Sequence, residues 1–221
     1  MLLLSAVLAL TSCKPKAPVP GSPDPDAPEY ADDIAASEAL QQALTDMDGL
    51  DEPDGVVRGV LNEEGLTKAL ADKNNKILRL HGDVEGDVTV AAGDYTDRSF
   101  IFEAPNAAVV CDADVGSVTL TALNENGFTL NGTANTVYVN GGDIKLTLNN
   151  SVKKLYITAR DAEVTLTNGS FPVIYCDNST DVITNKTDAA VQLILANGTT
   201  REIPAGKTYN MDTGELTRAK G

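Results

Sequence analysis

From residue 76 onward the chain repeats short apolar triplets at a nearly constant spacing, and that spacing restricts its fold more than any other feature. One series reads Phe100-Ile101-Phe102, Val118-Thr119-Leu120, Val137-Tyr138-Val139, Leu155-Tyr156-Ile157, Ile174-Tyr175-Cys176 and Leu193-Ile194-Leu195, with steps of 18, 19, 18, 19 and 19 residues. A second series interleaves: Val109-Val110-Cys111, Phe128-Thr129-Leu130, Leu146-Thr147-Leu148, Val164-Thr165-Leu166 and Val182-Ile183-Thr184, with steps of 19, 18, 18 and 18. Leu78-Arg79-Leu80 and Val88-Thr89-Val90 begin the two series with longer steps of 22 and 21. Self-similarity at a fixed period is the mark of a solenoid. Within a triplet the outer two side chains point inward and the central one, often Thr or Tyr, points out. One such strand cannot bury its inner row, but stacked coils pair every backbone group and join the inner rows into one core.

The expected fold is therefore all-β: a parallel β-helix, or β-solenoid, of about six coils of 18–19 residues, forming a rod of roughly 30 Å. Asn131, Asn149 and Asn168 recur at the corners, with Asn185 near the next expected place, and Gly132, Gly141 and Gly169 serve the same corners. Asn tolerates the left-handed backbone and can bond its neighbours along a stack, so this row reads as structural.

Both ends carry caps. Residues 62–73, NEEGLTKALADK, suit a helix: Asn62 can cap it, Glu63 and Glu64 favour the positive end of its dipole, and Leu66 and Leu70 share a face. Upstream, Ile34, Leu40 and Leu44 within residues 31–48 stand loosely at helical spacing. At the far end, VQLILANGTTREIPAGKTYNM reads as strand, Asn197-Gly198 turn and strand, an antiparallel hairpin closing the stack. Covered ends disfavour end-to-end polymers, so a monomer is expected.

The apolar run LLLSAVLAL at residues 2–10 is too short to span a bilayer and fits the hydrophobic part of a secretion signal, although no Lys or Arg precedes it. Leu10-Thr11-Ser12-Cys13 resembles the bacterial lipobox, and the resemblance implies lipidation of Cys13 as the first mature residue. Residues 14–28, KPKAPVPGSPDPDAP, hold six of the ten prolines and read as an extended polyproline tether. The expected organisation is a signal peptide at 1–12, the lipidated Cys and Pro-rich linker at 13–30, a helical segment and cap at 31–75, the solenoid at 76–190, and the hairpin cap and tail at 191–221. A lipid-anchored place in the cell envelope follows, at the outer membrane or cell surface, with the membrane as the partner of Cys13.

A helix of the type EEGLTKALADKNN leading into KILRLHGDVEGDVTV resembles the capped entrance of right-handed parallel β-helix proteins of the pectin-lyase-like class, over about residues 62–200. HGDVEGDVTV is also similar to bactofilins, filament-forming β-helix proteins, which the covered ends argue against. The pectin-lyase-like resemblance implies an alternative activity, cleavage of acidic polysaccharides by Lys or Arg bases helped by calcium on clustered carboxylates. Lys153, Lys154, Arg160 and Asp161 near one coil, and Asp112 and Asp114 near another, would be the candidates. Two carboxylates fall short of the six to eight oxygens calcium takes. Steps of 18–19 leave only tight turns, which build no walls around a substrate.

Charge and composition narrow the rest. With 17 Lys+Arg against 32 Asp+Glu, the formal charge of −15 repels phosphate backbones, so no nucleic-acid partner is expected, and an acidic polysaccharide would be repelled too. Three Cys and one His cannot complete a structural zinc site without carboxylates, and no metal or cofactor is expected. His81, beside Gly82-Asp83, reads as a solvated corner residue. Cys111 and Cys176 stand four coils apart, roughly 19 Å, too far for a disulfide, and both should be inward thiols.

Tyr138, Tyr156 and Tyr175, at steps of 18 and 19 and all central in their triplets, are the candidate ligand-facing residues. They would form a ladder able to stack sugar rings or a protein surface, or simply support neighbouring strands. Outward threonines at 119, 129, 147 and 165 form only two Thr-x-Thr pairs, Thr119/Thr121 and Thr165/Thr167, on different series, so an ice-binding array is not expected. The function expected is a non-catalytic scaffold or adhesion module, with a surface glycan or protein as its partner and no catalytic residue.

Overall fold

The computed structural model describes residues 57–60, 62–82, 84–177 and 180–220. The signal peptide, Cys13, the Pro-rich linker and the helix expected at 31–48 lie outside the described residues.

Pairing starts with β1 (Val57–Val60), followed by α1 (Glu63–Ala71), β2 (Ile77–His81), β3 (Glu85–Val90) and β4 (Asp94–Glu103). The stack continues through β5 (Asn106–Cys111), β6 (Asp114–Ala122), β7 (Phe128–Leu130), β8 (Ala134–Val139), β9 (Lys145–Leu148) and β10 (Val152–Ile157). Then come β11 (Glu163–Leu166), β12 (Val173–Cys176), β13 (Val182–Asn185), β14 (Val191–Leu195), β15 (Thr200–Ile203), β16 (Lys207–Asn210) and β17 (Glu215–Arg218). The strands alternate between two sheets, one ordered β1-β2-β4-β6-β8-β10-β12-β14-β15, the other β17-β16-β13-β11-β9-β7-β5-β3. The result is a β-solenoid of about six turns.

The triplet series become columns. Leu78 pairs with Phe100, Phe100 with Val118, Val118 with Val137, Val137 with Leu155, Leu155 with Ile174 and Ile174 with Leu193. Their inward partners fill one continuous core between the sheets. Phe100, Phe102 and Phe128 pack there as neighbouring rings, with centroids 6.2 and 5.2 Å apart. Apolar burial of this kind contributes about 25 cal/mol per Å².

The second series departs at its last member. Val164 pairs with Ile183 and Leu166 with Asn185, so the inward pair is Ile183 and Asn185 and the step is 19, not 18. The expected triplet of Val182-Ile183-Thr184 is thus one residue out of register. The polar Asn185 sits fully buried at the next place along Val90, Cys111, Leu130, Leu148 and Leu166. It is tolerated there because its amide donates to the carbonyls of Ala189 (2.8 Å) and Ile203 (2.9 Å) and accepts from Thr187 N (3.0 Å) and Thr187 Oγ1 (2.7 Å). A fully bonded amide avoids the desolvation cost that excludes most polar groups from such a column.

The caps form as expected, each with an addition. Asn62 Oδ1 accepts from Gly65 N at 2.7 Å, and α1 buries Leu66 and Ala69 over the open end of the core. One strand, β1, lies ahead of the boundary expected at residue 76 and extends the larger sheet. At the other end β14 turns at Gly198 (φ 76°) into antiparallel β15, while β16 and β17 form a second antiparallel pair on β13. Parallel stacking therefore ends in antiparallel strands on both sheets. Cys111 and Cys176 are buried thiols on different sheets, not joined by a disulfide.

The corners run from two residues (112–113) to six (167–172). Their side chains bond from coil to coil: Asn131 Nδ2 donates to Asp112 Oδ1 (2.7 Å), Asn149 Nδ2 to Asn131 Oδ1 (2.7 Å), and Thr167 Oγ1 to Asn149 Oδ1 (2.5 Å). Thr167 therefore holds the rung expected of Asn168, which instead accepts from Gly169 N. Gly169 takes a left-handed backbone (φ 100°), but Gly141 is required for a different reason. A Cβ there would lie 1.8 Å from the Thr121 carbonyl oxygen of the preceding coil.

Candidate functional site

The strand register places Arg79, Ile101, Thr119, Tyr138, Tyr156, Tyr175 and Ile194 in one column on the outer face of the larger sheet. The three tyrosines are vertical neighbours, as the spacing predicts. Tyr138 and Tyr156 stack with centroids 5.3 Å apart and planes 15° apart, while Tyr175 tilts 57° against Tyr156 at 6.3 Å. Solvent contact is the surprise. Tyr156 is 0% exposed, Tyr175 8%, Ile194 4%, Ile101 2% and Thr119 2%, with Tyr138 half-buried. Tyr156, Tyr175 and Ile194 form their own apolar cluster, separate from the solenoid core, with Tyr138 and Val173 packed against it. The column points outward and yet Tyr156 and Tyr175 offer no open stacking surface to a sugar ring.

The outer face of the smaller sheet has the opposite character. Thr89, Val110, Thr129, Thr147, Thr165, Thr184, Thr208 and Thr217 occupy successive strands at one register position. All are half-buried or exposed. The Thr184 and Thr208 hydroxyls lie 3.0 Å apart. Two residues further along the strands, about 7 Å away, runs the Asp112–Asn131–Asn149–Thr167 ladder. Thr119 belongs to the other sheet, as its place in the other triplet series predicts. The column itself is longer than Thr129, Thr147 and Thr165 alone suggested. Thr184 was hidden by the one-residue register difference at β13, and Thr208 and Thr217 join only because the cap strands fold back antiparallel. A hydroxyl repeated every strand was the signal available in the sequence, but only sheet pairing extends it beyond β11.

The residues implied by the pectin-lyase-like resemblance do not come together as a site. Asp112 accepts from Asn131, and Asp114 accepts from Thr133 N and Thr133 Oγ1, both at 2.7 Å, which hold its carboxyl below the ordinary range. Lys153 Nζ donates to Asn135 Oδ1 at 2.7 Å. Lys154 projects from β10 beside the tyrosine column, and Arg160 and Asp161 belong to the next corner, where Asp161 has φ 60°. His81 is the last residue of β2 and pairs in register with Glu103. Among the described residues no group of three or more His, Cys, Asp or Glu is placed to hold a metal ion.

One buried polar cluster escaped the sequence reading. Asp181 is fully buried under the hairpin end, accepting from Ala162 N (2.9 Å) and from the Cys176 thiol (2.9 Å), with Met211 Sδ 3.2 Å from the same sulfur. Burial, with the charge of Asp161 nearby, raises its carboxyl above the usual range against the lowering effect of those two hydrogen bonds. An isolated Asp five residues after a triplet carries no sequence signal for this. No family model, curated protein or solved structure matches the chain.

Proposed function

We propose that this chain is a non-catalytic, lipid-anchored module of a bacterial cell envelope, held off the membrane by the Pro-rich tether and serving as a rigid scaffold or adhesion surface. The observation that carries the reading is the regularity of the stack. Among the described residues, corners of two to six residues leave no long loops to wall a cleft, and charged corner side chains such as Asp112 and Asp114 are engaged in coil-to-coil hydrogen bonds. The open threonine column, flanked by the Asp–Asn–Thr ladder, supplies a flat, hydrogen-bonding face of the kind a surface glycan or protein can lie against. The lipobox resemblance around Cys13 and the prolines that follow it support the anchor.

Metabolic labelling with a palmitate analogue tests the anchor: the wild type should label and partition with membranes, and Cys13→Ala should do neither. Equal labelling of both would remove the anchor. Release of unsaturated sugars from a polyuronate would overturn the non-catalytic part. For adhesion, Thr147→Lys with Thr165→Lys should abolish retention of the protein on a glycan array; retention unchanged by the pair would locate binding elsewhere.

A further inference from the structure

The threonine column is set apart by what its hydroxyls do. Thr121 Oγ1 donates to Phe102 O (3.1 Å), Thr158 Oγ1 to Asn140 Oδ1 (2.9 Å) and Thr167 Oγ1 to Leu148 O (2.9 Å), so these hydroxyls tie one coil to the next. Thr129, Thr147 and Thr165, in the middle of the column, make no side-chain hydrogen bond among the described residues, and all three are half-buried. The column is also uncharged and evenly stepped. Thr129, Thr147, Thr165, Thr184, Thr208 and Thr217 follow one another on six successive strands. At about 4.8 Å per strand they span about 24 Å. The Asp112–Asn131–Asn149–Thr167 ladder beside them is the kind of side-chain ladder that holds a sheet flat. Charges stand at the flanks, where Lys145 and Glu163 pair in register and Asp112 is bonded to Asn131.

We infer that this column binds an extended, uncharged β-linked polysaccharide lying along the solenoid axis, one sugar to each strand. The inference rests on the adhesive reading of the same face and names its ligand class. A surface that repeats one group at one interval gains from multivalency only with a ligand repeating at that interval. The surface of a folded protein carries no such repeat, whereas each sugar of an extended β-1,4-linked chain advances by close to one strand spacing. Threonine presents a hydroxyl and a methyl side by side, as a pyranose presents hydroxyls and C–H groups. The formal charge of −15 repels polyuronates and leaves uncharged chains as the class that can approach. Coiled α-linked glucans do not hold their sugars in a line.

The assignment fits the lack of walls around the column. A cleft is needed to hold one soluble chain on several sides, but a polymer packed into a fibre offers only a flat side, and a flat row of hydroxyls can lie against it.

Adsorption of the full chain to microcrystalline cellulose and to chitin, with amylose and a polyuronate as comparisons, tests it. The chain should be retained by at least one of the first two and by neither of the others. Soluble oligosaccharides of the retained polymer should bind the unaltered chain more tightly with each added sugar, up to about six. Thr129→Val with Thr147→Val and Thr165→Val removes three hydroxyls and keeps strand-forming side chains. It should weaken adsorption at least about tenfold with the melting temperature unchanged. Serine at the same three positions should keep adsorption, and so should Thr136→Val on the larger sheet. Retention by amylose or the polyuronate instead, affinity that does not grow with length, or adsorption unchanged in the valine variant would overturn the inference. Binding to some other glycan that Thr147→Lys with Thr165→Lys abolishes, with neither cellulose nor chitin retained, would overturn the ligand class and leave the adhesive face standing. Retention of no glycan at all would remove both.

Discussion

Replacing Asn185 by Leu separates apolar patterning from hydrogen bonding as the force that closes the stack. By pattern the change is conservative, since position 185 continues the inward column of Leu130, Leu148 and Leu166. Filling it with Leu would bury an apolar side chain worth about 1.5–3 kcal/mol. Against this stand four hydrogen bonds, to Ala189 O, Ile203 O, Thr187 N and Thr187 Oγ1. Thr187 Oγ1 and Ala189 O keep a bond to each other at 2.9 Å, so neither is orphaned. Thr187 N loses the acceptor that Asn185 provides in a buried turn, at about 1–3 kcal/mol, and the other three bonds are worth about 0.5–1.5 kcal/mol each. The midpoints of these ranges leave a net loss of about 3 kcal/mol, or roughly 6–12 °C in Tm for a chain of this size. Thermal unfolding followed by circular dichroism at the β-sheet minimum measures it. An Asn185→Leu protein that melts at or above the wild type would show that apolar continuity dominates, and that the bonds to Thr187, Ala189 and Ile203 contribute nothing net.

Three further outcomes are expected. Gly141→Ala should destabilise by about 1–3 kcal/mol because the new Cβ meets the Thr121 carbonyl; Gly142→Ala, with its nearest neighbour at 3.4 Å, should change the urea midpoint far less, and equal effects would contradict the close-approach account. Asp181 has a folded-state pKa raised above its unfolded value, so the folded state holds its proton more tightly. Its contribution is most favourable below the ordinary carboxylate pKa, is lost as pH rises through the interval up to the raised value, and is flat above it. Urea midpoints measured from acid to neutral pH should therefore show Asp181→Asn gaining on the wild type as pH rises, and a gain in the opposite direction would refute the burial argument. The Cys111 thiol, pushed up to about 11 mainly by burial, should react with a disulfide reagent only at the rate of unfolding; fast reaction in the native protein would place it at the surface.

Much of the coil architecture was legible because it depends on local alternation. Inward Phe100 and Phe102, or Val137 and Val139, announce their face by period two, and the step of 18–19 announces their stacking. Asn62 as the helix cap is equally local, since it needs only the backbone three residues on. The register at β13 was not legible, because Val182, Ile183 and Thr184 satisfy the same alternation as Ile183, Thr184 and Asn185. Thr187 and Ala189 bond Asn185 within the same turn, but Ile203, the partner that lies across the core, meets it only after the hairpin has folded back.

The candidate surfaces divide along the same line. Alternation and period by themselves determined that Tyr138, Tyr156 and Tyr175 point outward and stand above one another, because both properties follow from strand geometry. Only the tertiary structure decided that this outward column is closed to solvent and that the threonine column runs on through Thr208 and Thr217. Exposure depends on what lies across a face, and antiparallel caps join residues with no common repeat, so neither is written in the spacing of the coils.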